Sequence, residues 1–284
     1  MANVAIVTDS TACIPQSYIL KYHIKVLPFS FLFGDTMYLD DHQSNPEEFY
    51  RLLKESGKPP KTSPPSPGAY LQAYQELARD HDQILCVTLH AGLSSLYNSA
   101  STAAQNARES LKNVRISVAD SKSASMAAGF VALAAAETSW RGASLEEVVK
   151  VAEQARERTG LLAVMDTLEY LARSKRIPSA AAWAGNLVNI KPILSIANGE
   201  VKRNGAALSK SRALRKIIEK LKSEAGKGNI RVAVVHTNSS EDAQRFLDRI
   251  KTEVKPSELM LSSFTPAMGI YTGPGLIGAA YLLE

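Results

Sequence analysis

The sequence predicts an α/β fold whose first part is a parallel β-sheet covered by helices. Three short runs rich in Val and Ile carry this prediction: VAIV (4–7), ILCVTL (84–89) and VRISVA (114–119). Each run ends in small polar residues, and an Ala-rich stretch of helical character follows. A strand, a polar loop and a helix in repeated succession are typical of a parallel α/β sheet.

Between the first two of these runs, the sequence predicts a hairpin and a helix. Residues 28–40, PFSFLFGDTMYLD, read as two strands that turn at Gly34-Asp35. Ser66 followed by Pro67 is typical of the N-cap and first residue of a helix. Thr62 and Ser63 are then left on a proline-stiffened loop with no capping role, where their hydroxyls are available to a ligand.

The second half of the chain mixes hairpins with helices. Its candidate strands are residues 161–167, 188–208, 231–237, 258–265 and a final run, IGAAYLL, and NGEV inside the second of these is a turn signal. We place a boundary after the helical SLEEVVKVAEQARER, with Gly160 as a hinge. The predicted domains are an N-terminal parallel α/β domain (1–160) and a C-terminal mixed α/β domain (161–284).

Composition excludes several classes of protein. The 284 residues are 45% hydrophobic and 21% charged, which is normal for a globular chain. No apolar run approaches the length of a membrane span, and the N-terminus lacks the pattern of a signal peptide. Cys13 and Cys86 are too few for a disulfide framework or a thiolate metal site. We therefore expect a cytoplasmic protein with no bound metal.

The net charge of +5 is unevenly distributed. Residues 1–160 have a balance of −2, whereas residues 161–284 have a balance of +7. Much of the excess lies in KSRALRKIIEKLK (210–222), whose apolar residues fall on one helical face. The pattern favours an amphipathic helix with a solvated basic face; the alternative is a docking face for an anionic partner or a membrane surface.

Small hydroxyl residues follow the three predicted parallel strands. They occur in Thr8-Asp9-Ser10, in Gly92-Leu93-Ser94-Ser95 and in Asp120-Ser121. Ligands of open α/β sheets bind beyond the carboxyl ends of the strands, where helix N-termini favour an anion. Each hydroxyl taken alone is more typical of an ordinary N-cap than of a ligand site. Three such strand ends in one sheet shift the balance toward an anion site.

The sequence narrows the kind of anion and gives no sign of a cofactor. The P-loop pattern is absent, and so are H-E-x-x-H and C-x-x-C. Gly273, Gly275 and Gly278 have dinucleotide-fingerprint spacing, but Pro274 between the first two has no N–H for a pyrophosphate, and the preceding segment is a poor strand. Hydroxyls without a dense cluster of Lys or Arg suit a single negative charge, such as a carboxylate.

Seven motifs, in order along nearly the whole chain, resemble those of DegV-family proteins: TDST (8–11), TSPPS (62–66), AGLSSLYNSA (91–100), DSKSASMAAG (120–129), LEYLARSKRI (168–177), IKPIL (190–194) and TGPGLIG (272–278). The resemblance implies a two-domain α/β protein with a long-chain fatty acid in a tunnel between the domains. Such proteins are the fatty-acid-binding subunits of bacterial fatty acid kinase. They perform no chemistry alone and present the carboxylate to an ATP-dependent catalytic subunit, which makes acyl phosphate for phospholipid synthesis.

The resemblance also implies a head-group site. Thr62 and Ser94 match the family residues that bind the carboxylate, and Arg176 matches a basic residue close by. Tyr271 stands where the family often has a His, and it offers a neutral hydroxyl instead. Ser174 and Lys175 stand where a Gly-Gly pair often precedes the Arg. The supporting residues of this predicted site are Ser63, Gly92, Ser95, Asp9, Ser10, Thr272 and Gly273.

Other functions remain open at this point. A hydrolase could use Ser94 with His90, oriented by Asp9 or Asp120, although no G-x-S-x-G elbow is present. The protein could also bind another lipid-like anion. A regulator that docks on nucleic acid or membrane through residues 210–222 is a further alternative. The predicted partners are a fatty acid, a kinase subunit and transiently a membrane surface, without nucleic acid.

Overall fold

Two large β-sheets and one small sheet form the framework of the protein in the computed structural model, which describes residues 3–41, 46–56, 60–177, 179–184 and 190–284. One large sheet is parallel and the other is mixed, so the predicted α/β class is confirmed. Within the described ranges, no helix has both the length and the apolar character needed to cross a membrane.

The first sheet has four parallel strands, in the order β2 (Lys25–Leu27), β1 (Ala5–Asp9), β6 (Gln83–Thr88) and β7 (Arg115–Asp120). The Val- and Ile-rich runs correspond to β1, β6 and β7, as predicted. The sequence pattern does not reveal β2, because three residues are too few to show an alternation of polar and apolar side chains.

The second sheet has six strands, in the order β10 (Glu200–Ala207), β9 (Lys191–Ala197), β8 (Thr159–Val164), β13 (Ile277–Leu283), β11 (Ile230–His236) and β12 (Glu258–Ser263). Among these strands, β11 and β12 pair in parallel and the other neighbours are antiparallel. Asn198 and Gly199 join β9 to β10 with φ values of +49° and +78°. The predicted Asn-Gly hairpin turn is therefore confirmed.

The small sheet is antiparallel and has the order β4 (Thr36–Leu39), β3 (Ser30–Phe33) and β5 (Lys61–Ser63). β3 and β4 form the predicted hairpin around Gly34-Asp35. The prediction of a loop at Thr62 and Ser63 is wrong, because the second edge of β3 pairs with both residues. Backbone pairing across the sheet thus orders a segment too short to show a strand pattern.

The helices that the structure describes are α1 (Gln16–Tyr22), α2 (Pro46–Glu55), α3 (Pro67–Leu77), α4 (Leu96–Ser110), α5 (Met126–Trp140), α6 (Leu145–Arg158), α7 (Glu169–Ser174), α8 (Ser179–Ala184), α9 (Lys210–Ala225), α10 (Ser240–Glu253) and α11 (Pro266–Thr272). Ser66 caps α3 as predicted, and its side chain accepts a hydrogen bond from the Ala69 backbone. α9 buries the predicted apolar face and leaves Arg212 and Arg215 exposed.

Helices and sheets alternate in layers. α3 and α4 cover one face of the first sheet, α5 and α6 lie between the two large sheets, and α9 and α10 cover the far face of the second sheet. α5 is apolar on nearly all sides, as a central helix must be. Along β1, Ile6 faces this central layer, whereas Ala5 and Val7 face α3 and α4.

Gly160 is not a hinge. It lies inside β8, where it pairs with Tyr281 of β13. A Cβ atom at Gly160 would lie 2.7 Å from the Tyr281 hydroxyl oxygen, so the absent side chain makes room for that ring. The division into domains of residues 1–160 and 161–284 stays a prediction.

Candidate functional site

A cavity lies between the second sheet and the carboxyl ends of the first-sheet strands. Its lining is predominantly apolar: Phe29, Leu89, Leu93, Ala124, Leu161, Ala163, Met165, Leu171, Ile177, Leu194, Ile196, Val201, Phe264, Met268 and Leu276. The remaining lining residues are Thr11, Ser174, Arg176, Tyr271 and Thr272.

Strand alternation explains the apolar wall of the cavity. On β8, Leu161 and Ala163 face the cavity, whereas Leu162 and Val164 face the core beneath α9. Every second residue of a strand points to the same face, so β8 serves both compartments. The opposite wall is formed by residues that follow the parallel strands, including Leu89 after β6 and Ala124 after β7.

A mouth cluster of Thr62, Arg176 and Tyr271 lies at the polar end of the cavity. The Arg176 guanidinium stacks over the Tyr271 ring, with its Cζ atom 4.5 Å from the ring centroid. The hydroxyls of Thr62 and Tyr271 are hydrogen-bonded to each other, and Arg176 Nη2 donates to Thr62 Oγ1 at 3.4 Å. The structure thus brings together three of the four residues predicted to hold the carboxylate.

Arg176 has no ion-pair partner among the described residues. Its Nη1 atom donates to the backbone oxygen of Leu93, which ties the guanidinium to the loop after β6. Backbone contacts hold the arginine from the other side: Arg176 N donates to Ser174 Oγ at 3.2 Å, and Ser174 Oγ donates to Leu171 O at 2.6 Å. A fixed guanidinium beside two hydroxyls is suited to bind a carboxylate.

Tyr271 is positioned by the short helix α11. Pro266 occupies the first turn of this helix, and the buried Asp40 accepts a hydrogen bond of 2.8 Å from Ala267 N. The helix ends at Gly273, which has φ of +70°. A Cβ atom at Gly273 would lie 2.3 Å from the Tyr170 ring, so the glycine permits close packing of that ring.

The predicted supporting residues are spread over several environments. Ser63 is exposed and lies on the face of β5 opposite to Thr62, as strand alternation requires. Thr272 lines the cavity, and its hydroxyl donates to Met268 O at 3.1 Å. Gly273 is buried and faces Tyr170.

The loop after β6 contains Gly92, Ser94 and Ser95. Ser94 is half-buried and has no hydrogen-bond partner among the described residues, whereas Ser95 is exposed and precedes α4. Gly92 lies against His90, since a Cβ atom there would be 2.6 Å from His90 Nε2. The structure does not bring Ser94 into hydrogen-bond contact with the mouth cluster.

His90 lies near Asp120 rather than in contact with Ser94. Its Nδ1 atom is 3.5 Å from Asp120 Oδ2, and no hydrogen bond among the described residues joins His90 to Ser94. The nucleophile–base contact that the hydrolase alternative requires is therefore not present between these two side chains.

Asp9 and Ser10 are buried behind the cavity and hold its walls. Asp9 accepts hydrogen bonds from Thr11 N at 3.0 Å and from Leu89 N at 3.1 Å, and both of these neighbours line the cavity. Burial raises the pKa of Asp9 to about 6, and these hydrogen bonds oppose the rise only in part. Ser10 donates to Asp40 Oδ2 at 2.5 Å.

Sequence reasoning missed Asp40 and the turn formed by Ser174. Asp40 connects the end of β4 to the start of α11, and burial raises its pKa. A lone Asp after a hairpin carries no signal of such a distant contact. No group of three or more His, Cys, Asp or Glu side chains among the described residues could hold a metal ion.

Comparison with known proteins supports one family. The model of the DegV family matches residues 3–284. A DegV domain-containing protein of Clostridium acetobutylicum is 34% identical over 282 residues, covering 99% of this chain and 98% of the relative. The resemblance seen in the seven motifs is thereby confirmed.

Solved structures of two relatives have the same fold. One describes fatty acid binding of a DegV family protein from Thermus thermophilus, with a TM-score of 0.92, 28% identity and full coverage of both chains. The other is DegV from Bacillus subtilis, described as a fatty acid binding protein, with a TM-score of 0.88, 29% identity and full coverage of both chains.

Proposed function

The chain belongs to the DegV family, and we propose that it binds a long-chain fatty acid in the cavity, with the carboxylate at the mouth cluster. One observation carries this proposal. A cavity lined almost entirely by apolar side chains has at one end a guanidinium, Arg176, without a described counter-ion. An acyl chain satisfies the apolar wall, and a carboxylate compensates the charge.

The main favourable and unfavourable free-energy terms of such a complex are of similar size. Each buried methylene contributes about 0.8 kcal/mol, so a 16-carbon acyl chain gains on the order of 11 kcal/mol. Association costs roughly 4–15 kcal/mol. Charged hydrogen bonds, worth about 1.5–3 kcal/mol each, then decide between weak and tight retention. The contacts of Arg176 and Thr62 with the carboxylate are therefore expected to control affinity.

We propose further that the protein is a non-catalytic subunit that presents the bound carboxylate to a separate ATP-dependent kinase subunit. The product would be an acyl phosphate, used in phospholipid synthesis. Thr62, Ser94 and Arg176 are each half-buried, which supports access to the head group from outside. The chain lacks a P-loop sequence of its own, so the nucleotide is assigned to the partner.

Extraction of the purified protein under denaturing conditions, followed by mass spectrometry, tests the ligand. We expect a stoichiometric fatty acid, and the spectrum will also report its length and unsaturation. A different lipid-like anion would correct the ligand. A protein that yields no lipid and also binds no fatty acid when offered would overturn the proposal.

Substitutions test the head-group assignment. Arg176→Ala should weaken fatty acid binding by about 10- to 150-fold, because it removes a charged hydrogen-bond donor. Tyr271→Phe keeps the ring that stacks on Arg176 and loses only the hydroxyl, so a smaller loss, of about fivefold, is expected. Arg173→Ala is the matched control, since Arg173 is an exposed cation of α7 paired with Glu169. Equal effects of R176A and R173A would contradict the assignment.

A further inference from the structure

A short turn, residues 273–276, connects the helix that carries Tyr271 to the last strand, and we call it the α11–β13 turn. Gly273 and Gly275 in this turn have φ values of +70° and +87°. Leu276 at its end lines the cavity. Because glycine restricts the backbone less than any other residue, contacts with other elements must define the course of this turn.

One residue, Thr237, makes four hydrogen bonds to the α11–β13 turn. Thr237 directly follows β11 and is completely buried. Its backbone N donates to Leu276 O at 3.0 Å, and its backbone O accepts from Gly275 N at 2.9 Å. Its side-chain Oγ1 donates to Gly273 O at 2.8 Å and accepts from Leu276 N at 2.8 Å. The hydroxyl of Thr237 thus acts as both donor and acceptor within the turn.

The hydroxyl of Thr237 holds the end of α11. Gly273 is the first residue after this helix, and Tyr271 lies two residues earlier, in the last helical turn. Gly273 N donates to Gly269 O at 2.8 Å, so the residue that Thr237 holds also closes the last turn of the helix. Asp40 holds the first turn, as described above. The helix that carries Tyr271 is therefore anchored at both ends.

A second contact holds the α11–β13 turn at a different residue. Lys210 Nζ donates to Gly275 O at 2.6 Å and lies 3.5 Å from Asp166 Oδ2. Asp166 packs against Gly275, whose missing side chain makes room for the carboxylate. These contacts hold the part of the turn that is nearer to β13. The Gly273 carbonyl, which is nearer to Tyr271, accepts the hydrogen bond from Thr237.

We propose that Thr237 is a positioning residue for the head-group site: its hydroxyl fixes the place of Tyr271 and, through Tyr271, that of Arg176; this rests on the proposed function. Thr237 is not among the described residues that line the cavity, so it acts through the turn rather than on the ligand. The Tyr271 ring stacks under the Arg176 guanidinium, and its hydroxyl is bonded to Thr62. A displaced α11 would disturb both contacts, because hydrogen bonds weaken steeply when their geometry is distorted.

Thr237→Val tests this role, because valine keeps the shape of the side chain and removes the hydroxyl. Thr159→Val is the matched control. Thr159 is a buried threonine of the same sheet, and its Oγ1 donates to Tyr281 O at 2.7 Å. Thr159 pairs with Leu282 near the end of β13, whereas Thr237 holds the turn that precedes this strand. Each delipidated protein is titrated with oleate and with oleate methyl ester, and its thermal unfolding is recorded.

We expect T237V to raise the Kd for oleate about five- to tenfold, which corresponds to the loss of one hydrogen bond. The Kd for the methyl ester should stay within about twofold, because the ester has no charge for Arg176 to bind. Thr237→Ser keeps the hydroxyl and should bind oleate like the wild type. T159V should lower the melting temperature and leave both Kd values unchanged.

Equal losses for oleate and its methyl ester in T237V would show that Thr237 has only a structural role and would overturn the proposal. A loss of oleate binding in T159V as large as that in T237V would do the same. If T237V does not fold, Thr237→Cys replaces it. A thiol is a weak donor and acceptor, so a smaller loss, still confined to oleate, is expected.

A double-mutant cycle tests the route through Tyr271. In the Tyr271→Ala background, T237V should change the Kd for oleate by less than about twofold, because the side chain that Thr237 positions is absent. The same loss in both backgrounds would contradict the route through Tyr271. A wild type that binds no oleate would contradict the proposed function instead.

Discussion

Contacts from three directions within the protein hold Arg176 in place. Tyr271 stacks on its guanidinium, Leu93 O and Thr62 Oγ1 accept its N–H groups, and Ser174 holds its backbone. A side chain that is already ordered loses little conformational entropy on binding. Contacts within the protein therefore order the mouth cluster.

Asp9 gives the stability of the fold a dependence on pH. In the folded protein its pKa is about 6, because it is buried, whereas the unfolded chain has the ordinary value of 3.8. Between these values the folded protein holds a proton that the unfolded chain has lost. A rise in pH therefore favours unfolding, and the contribution is fully present below pH 4 and lost above pH 6.

Denaturant titrations from pH 4 to pH 7 on wild type and Asp9→Asn measure this effect. The unfolding free energy of wild type relative to D9N should fall by about 2 kcal/mol over that interval. Asp40, whose pKa burial also raises, titrates in both proteins and interacts electrostatically with Asp9. A difference that stays constant with pH would contradict the raised pKa of Asp9.

Motifs were the source of the individual site assignments. Thr62, Arg176 and Tyr271 were assigned through family motifs, and the structure brings them into contact. Asp40 and Ser174 were not assigned any role, because their roles depend on partners whose positions only the folded chain defines. Ser63 was grouped with Thr62 because a loop was expected there, and a strand instead separates the two side chains onto opposite faces.

The end of α7 is the element that positions Arg176. Lys175 has φ of +55°, and the Ser174 hydroxyl bridges Leu171 O and Arg176 N across this turn. Ser174→Ala removes the bridge and should weaken fatty acid binding by about fivefold, equivalent to the roughly 1 kcal/mol of one hydrogen bond. Equilibrium titration with oleate measures the loss.

Two comparisons separate positioning from general stability. Oleate methyl ester lacks the charge that Arg176 is proposed to bind, so S174A should not change its affinity, and Ser174→Thr should restore binding of oleate. Ser110→Ala is the matched control, since the Ser110 hydroxyl makes the same type of bond, to Ala107 O at the end of α4. Equal losses for oleate and its methyl ester would show that Ser174 has only a structural role.

Longer elements were predictable from the sequence and the shortest ones were not. Periodicity predicted α9, and Asn198-Gly199 predicted the β9–β10 hairpin. β2 and β5 have three residues each, so their pairing arises from the neighbouring strand rather than from their own pattern. The segment around Pro266 was recognised as a poor strand, and the helix it forms begins at a proline held by Asp40 through Ala267.

At the scale of the whole molecule, a ligand in the cavity would contact the second sheet and the segments that follow the first-sheet strands, so it should stabilise the fold. A ligand that binds only the folded protein adds about 2.7 kcal/mol at a free concentration of 100 times its Kd. Delipidated protein should therefore unfold several degrees higher when oleate is added. Differential scanning calorimetry over a range of oleate concentrations measures the shift.

A long-chain alcohol of equal length is the control for the charged head group. It fills the same apolar space without the carboxylate, so its shift should be smaller, and Arg176→Ala should reduce the shift with oleate toward that of the alcohol. A melting temperature independent of oleate concentration would contradict binding in the cavity.

Successive residues of strand β8 face the cavity and the core beneath α9 in alternation. Leu161 and Ala163 face the ligand space, while Leu162 and Val164 belong to the core beneath α9. Substitutions at the first pair can reshape the space for a longer, shorter or bent chain, and those at the second pair bear on folding. Relatives of this protein can therefore differ in the shape of the cavity while they keep the same scaffold.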